Sequence, residues 1–217
     1  MNYPPPPWNL KGYAILTFNL LDIEKARAFV PPELEIVAVL PSKTLGGVYL
    51  SAYESGSVLQ YNELIVTSGL TRYQGQTSSW ISHIYVDNAT SVAGGREIWG
   101  LPKEMADFSW KDHEVRVSQS DRNLCSLKYQ RNWSNLATWW KPRFSAGSFG
   151  GLNTELLQFN NQFAAEISLL SSNLTVPTSS PFASLNLGQP WLTLKMNQLD
   201  LTAGAPKMVG QKSILNK

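Results

Sequence analysis

Few side chains in this sequence are equipped to make or break a covalent bond. There is one thiol, Cys125, and there are two imidazoles, His83 and His113. A cysteine-ligated zinc site needs more thiols, and a site of histidines alone lacks its third ligand. Gly94-Gly95-Arg96 is not followed by the Gly-Lys-Ser/Thr of a phosphate loop, no parallel-strand context precedes it, and no nucleophile-elbow serine occurs. His83 falls inside an alternating, strand-like run and reads as a satisfied structural histidine. His113, in Lys111-Asp112-His113-Glu114, reads as part of a solvated turn. No metal and no cofactor is implied, which leaves amine and carboxylate chemistry.

One amine has suitable surroundings. Lys103 closes the segment Gly95-Arg96-Glu97-Ile98-Trp99-Gly100-Leu101-Pro102-Lys103-Glu104, directly after a proline that fixes the backbone, with Trp99 and Leu101 as apolar neighbours. In water only about one lysine in 2,500 is neutral at pH 7, given a reference pKa near 10.4. Burial in an apolar pocket disfavours the ammonium and so favours the free amine, the form that attacks a carbonyl. By pattern alone, a surface lysine at a loop end is the competing reading. Glu63, beside Leu64 and Ile65, reads by pattern as a glutamate on the solvent face of a strand, with Tyr61 on the same face two residues away.

The elements that must hold these groups are mainly strands. Ala14, Leu16, Phe18 and Leu20 alternate with Tyr13, Ile15, Thr17 and Asn19, and Val48, Leu50 and Ala52 alternate with Tyr49, Ser51 and Tyr53. Further strands are expected at 61–70, 78–86, 114–118, 123–129, 155–163, 165–176 and 191–201. Two short helices are expected, one capped by Asp22 and stopped at Pro31-Pro32, the other running from Ala89 to Trp99 between an Asn88 cap and Gly100. The Gly- and Ser-rich stretch 145–151 reads as a loop inside one domain covering residues 1–217. Many strands without repeating β–α–β alternation predict a mainly β (α+β) fold, an antiparallel sheet closed into a barrel or folded into a double sheet.

The segment Gly95–Lys103 resembles the signature of the acetoacetate decarboxylase family, in which Gly-Arg-Glu leads to a Pro-Lys whose lysine forms a Schiff base. Three weaker elements precede it in the family's order. They are Val30-Pro31-Pro32-Glu33-Leu34-Glu35, Gln60-Tyr61-Asn62-Glu63 and Ile84-Tyr85-Val86-Asp87-Asn88. The resemblance spans roughly Gly12 to Phe108 and implies a cone-like barrel or double sheet, usually oligomeric, with the amine facing an apolar pocket. It implies Lys103 and Glu63 as catalytic residues, the glutamate handling a proton. Tyr61, Trp99 and Leu101 would line the substrate site, and Arg96 and Glu97 would anchor the turn that carries the lysine. The ligand class it implies is a small keto acid, 2-oxo acid or other carbonyl compound, processed by decarboxylation or by aldol or dehydration chemistry.

Three positions depart from the family pattern. Glu104 replaces a second lysine that follows the nucleophile, the family's arginine before the first strand aligns near Gly12 with Lys11 the nearest cation, and a further carboxylate falls near Val48. An enzyme with these changes is expected to use acetoacetate poorly, and a non-catalytic barrel that binds a small apolar carbonyl ligand is the rival reading. A sugar-stacking platform of Trp133, Trp139, Trp140 and Lys141 is a third, set against a packed aromatic cluster. A formal charge of +2 is too balanced for a nucleic-acid binder. The start Pro4-Pro5-Pro6-Pro7-Trp8 is not a targeting segment, no membrane span is visible, and the sequons at Asn88, Asn132 and Asn173 read as chance. A cytoplasmic homo-oligomer is the expectation.

Overall fold

The computed structural model describes residues 3–131 and 141–214. Asn132, Trp133, Trp139 and Trp140 lie outside the described residues.

The chain opens with β1 (Trp8–Asp22), a short helix α1 (Ile23–Arg27) and a two-residue β2 (Glu35–Ile36). It continues through β3 (Lys43–Tyr53), β4 (Tyr61–Tyr73) and β5 (Gln76–Val86) to the helix α2 (Ala89–Trp99) and the short β6 (Lys103–Met105). A meander follows, made of β7 (Asp107–Lys111), β8 (Glu114–Gln119) and β9 (Arg122–Arg131). Last come β10 (Arg143–Gly150), β11 (Glu155–Thr175), β12 (Leu192–Ala203) and β13 (Lys207–Gln211). Strands β10, β5, β4, β3, β1, β12 and β11 pair in that order, and β10 also pairs with β11, which closes the ring into a barrel. The fold is mainly β, as the alternating runs predict, and largely antiparallel.

Two pairings are parallel, both on β5: Ile84 with Lys103 of β6, and Ser79 and Trp80 with Ser148 and Phe149 of β10. The β5–α2–β6 unit is therefore a single parallel crossover, and the Gly94-Gly95 helix does connect parallel strands after all. The second half of β11 pairs with β9, so the meander leaves the barrel wall and folds over its outside.

Alternation along each wall strand separates two cores. On β3, Leu45, Gly47, Tyr49 and Tyr53 face the lumen. Val48 and Leu50 face outward and pack with Val115, Val117, Leu124 and Leu127 of the meander. Cys125 lies in this outer core, and burial pushes its thiol up to about 12, so it is inert at neutral pH. His83 also lies off the lumen, between the rings of Phe29 and Phe182 and 3.0 Å from Ser82 Oγ, as a structural histidine should. His113 is exposed in the β7–β8 turn.

Several local expectations change. Residues 145–150, expected as loop, belong to β10, because the glycines there serve close strand approach: a Cβ on Gly147 would stand 2.4 Å from Ser78 Oγ. The two strands expected at 155–163 and 165–176 are one strand that shifts register between Ala164 and Glu166. Asp22 does not cap α1, since its carboxylate is drawn 2.6 Å from Lys43 Nζ on the paired strand β3. No helix among the described residues is long and apolar enough to cross a membrane.

The barrel is held to the meander by apolar packing, so Leu50, with no exposed surface, is a direct probe of that layer. Leu50→Ala is expected to lower unfolding stability by about 2–5 kcal/mol in urea titration, the range for an unrelieved core cavity.

Candidate active site

Helix α2 sets the site. Asn88 Oδ1 accepts the Ser91 amide at 3.0 Å and starts the helix, and Gly100, at φ +61°, ends it by donating to the Arg96 carbonyl. Two mid-helix glycines cost helix propensity, about 1 kcal/mol each. They are there for close approach. A Cβ on Gly94 would stand 2.6 Å from the Trp8 ring, and one on Gly95 would stand 2.4 Å from Lys103 Cδ and 2.6 Å from its Cε. The lysine stem thus lies flat on the helix backbone. Arg96 Nε donates to the Lys103 carbonyl at 2.8 Å and fixes the strand that carries it, whereas Glu97 turns away and accepts from Tyr3.

The two faces of β6 separate Lys103 from Glu104. Lys103 pairs with Ile84, which faces the lumen, and Glu104 pairs with Tyr85, which faces outward. Lys103 therefore enters the barrel, while the Glu104 carboxylate accepts from Gln119 Nε2 at 2.9 Å on the other side of the wall. Val48 likewise points into the outer core. Lys11 is exposed beside Asp200, and Gly12 is pressed against the Ala52 carbonyl, so neither reaches the lumen.

Inside the barrel Lys103 is 3% exposed and Glu63 is 4% exposed. Lys103 Nζ donates to Glu63 Oε1 at 2.8 Å and to Ser91 Oγ at 3.0 Å. It also lies 5.0 Å from the centre of the Tyr61 ring and 5.7 Å from that of Trp8. Glu63 Oε2 accepts from the Tyr53 hydroxyl at 3.0 Å, and Tyr49 continues the chain at 3.2 Å. Burial first, and then the Glu63 charge, raise the Tyr53 and Tyr61 phenols well above their ordinary value. These phenols stay protonated at neutral pH and act as neutral hydroxyls. Trp99 and Leu101 line the same cavity, of about 350 Å³, in which Lys103 and Glu63 are the charged residues among the described ones.

The sequence-derived residues Lys103, Glu63, Tyr61, Trp99 and Leu101 thus meet in one place. Sequence reasoning did not single out Ser91, Tyr53, Tyr49 or Trp8. The same-face pair Tyr49 and Tyr53, four residues apart on a strand, was the available signal for two of them. Among the described residues no group of three or more histidine, cysteine or acidic side chains could hold a metal.

A family model for acetoacetate decarboxylase matches residues 1–141. The chain belongs to the acetoacetate decarboxylase family. The rice protein NEOXANTHIN-DEFICIENT 1 is 24% identical over 270 residues, covering 94% of this chain and 89% of the rice protein. Its tomato namesake is 34% identical over 111 residues, 51% of this chain and 37% of the relative. Acetoacetate decarboxylase 3 of Mesorhizobium japonicum is 31% identical over 116 residues, 49% of this chain and 40% of the relative. The chain thus spans less than half the length of the last two. Among solved structures, acetoacetate decarboxylase of Legionella pneumophila shares the fold with a TM-score of 0.75 at 16% identity, covering 97% of this chain and 90% of that one. The enduracididine biosynthesis enzyme MppR, complexed with pyruvate, shares it at 0.70 and 15%, covering 94% and 91%.

Because the pair is buried, removing one partner strands the other. Glu63→Ala is expected to cost about 3–5 kcal/mol of stability in urea titration, and a Glu63→Leu/Lys103→Met double variant should recover most of it. Gly95→Ala should leave the protein folded but push the lysine off the helix, and a crystal structure of that variant should show Lys103 Nζ displaced beyond hydrogen-bond distance of Glu63.

Proposed function

We propose that this member of the acetoacetate decarboxylase family is an enzyme that binds a carbonyl compound in the barrel lumen and forms a Schiff base with it through Lys103. The observation that carries the reading is the placement of the Lys103 amine at the inner wall of an apolar cavity, within hydrogen-bond distance of a single buried carboxylate. Glu63 takes a proton from the ammonium as substrate enters, the free amine adds to the carbonyl carbon, and Glu63 returns the proton to the departing hydroxyl. Ammonium plus ketone then gives iminium plus water, with Glu63 again a carboxylate. The iminium accepts the electron pair of a bond broken next to it, a C–C bond in decarboxylation or retro-aldol cleavage and a C–H bond in enamine formation. Tyr61, Trp99 and Leu101 would exclude water and hold the apolar part of the substrate.

The rival reading, a non-catalytic binding barrel, has one observation in its favour: Lys103 Nζ already has two acceptors, Glu63 and Ser91, as a purely structural cation would. Borohydride reduction in the presence of a panel of ketones and oxo acids separates the two. A mass adduct is expected on the Lys103 peptide of the folded protein. Lys103→Arg keeps the charge but cannot form an imine, and should abolish the adduct. Glu63→Gln should slow its formation at least tenfold. Acetoacetate should be turned over poorly, because its carboxylate meets no second cation among the described lining residues. Absence of any adduct would leave the binding barrel.

A further inference from the structure

The lumen is long, and its two ends differ. On β4 the lining side chains run from Tyr61 and Glu63 through Ile65 and Thr67 to Leu70, and on β3 from Tyr53 through Tyr49 to Leu45. At about 3.3 Å per residue, shortened by strand tilt, this is a depth on the order of 15–20 Å. The inner end holds Lys103, Glu63, Tyr61, Trp8 and Trp99, each exposed by 5% or less. It is sealed. The Trp8 and Trp99 rings meet edge to face at 4.8 Å, and their indole N–H groups are spent on the carbonyls of Pro4 and Gly204.

The outer end is apolar. Phe18, Leu45, Leu70 and Phe144 stand there, with Phe163 just inside, and all are partly exposed. Phe144 is 38% exposed and stacks on Phe163 at 5.0 Å. An entrance meant for a small charged acid would not be rimmed in this way: a carboxylate gains nothing from these side chains and loses its water. An apolar chain gains along most of the tube, whose lining is mainly apolar although Thr67, Ser79, Ser148 and Asn161 also face it.

We infer that the natural ligand is an elongated, uncharged apolar carbonyl compound, an unbranched chain with its aldehyde or methyl ketone at one end. It enters carbonyl first, so that the carbonyl reaches the Lys103 amine while the tail lies along Ile65 and Thr67 to the Phe144 rim. The inference rests on the proposed Schiff-base reading for its reactive end, but the apolar tube is independent of it. The imine step is the one already balanced, with water as the leaving group.

The test uses two methyl ketones of different length, acetone and decan-2-one, each trapped by borohydride and scored on the Lys103 peptide. Decan-2-one should label at concentrations at least tenfold lower than acetone. Thr67→Trp narrows the tube midway and should raise the decan-2-one requirement at least tenfold while changing acetone by less than twofold. Ala146→Phe, on β10 two strands away around the ring, serves the same purpose if the tryptophan variant does not fold. The alcohol decan-2-ol, which cannot form an imine, is measured in parallel by displacement of a fluorescent fatty-chain probe. Acetone adducts without a decan-2-one advantage would overturn the elongated ligand and leave the Schiff base standing. No adduct with either ketone, but decan-2-ol binding abolished in Thr67→Trp, would remove the Schiff base and keep the apolar tube. Decan-2-ol that does not bind, or that binds Thr67→Trp as tightly as the parent, would overturn the inference.

Discussion

A lysine and a glutamate buried together inside a barrel impose most of the local structure seen around them. Each ion taken from water costs several kcal/mol even after relaxation, so the pair persists only if every remaining donor and acceptor is met. Ser91 meets one ammonium hydrogen and the Tyr53 hydroxyl meets the second carboxylate oxygen. Two aromatic faces stand within cation–π range of the amine. The helix must then lie close enough for Ser91 to reach, and that closeness is possible only because position 95 has no side chain. The glycine at position 95 and the placement of Ser91 on the helix both serve that buried pair.

The same wall strands serve two unlike environments, and two of the three departures from the family pattern, Val48 and Glu104, fall on the outer one. Side chains that alternate by one residue fall either into the lumen or into the layer beneath the meander. Val48 and Glu104 are on the outer side, where one needs to be apolar and the other finds Gln119. Neither disturbs the amine. Among the described residues the lumen is left with one cation and one anion, paired with each other, so this lining presents to a ligand little net charge.

The sequence was legible where periodicity is strong. The runs of β1 and β3 alternate, those of β4 and β5 are rich in β-branched and aromatic residues, and Asn88 and Gly100 bracket α2 with standard cap chemistry. Lys103 and Glu63 emerged from a motif, since pattern alone favoured the surface for both. What stayed hidden depends on distant partners. The two-part side of the barrel formed by β6 and β10 consists of a three-residue strand and a glycine-rich one, and neither has a period long enough to read. Asp22 looked like a cap because capping is local, while its actual partner, Lys43, is set by register across two strands. Ser91 and Trp8 join the site only through the packing of α2 on β1, which no short window contains.

Strand β5 is flanked on one side by two separate segments laid end to end, β6 near the amine and β10 toward the rim. The first arrives within a few residues through the α2 crossover. The second comes from far along the chain and pairs over only two residues. Loop closure of that span is entropically slow compared with the local crossover. A nascent chain would therefore hold its lysine on β5 before the tube around it is sealed, and the amine would remain wetted until β10 arrives. Burial of the amine is not a property of the motif alone; it is completed at the last seam.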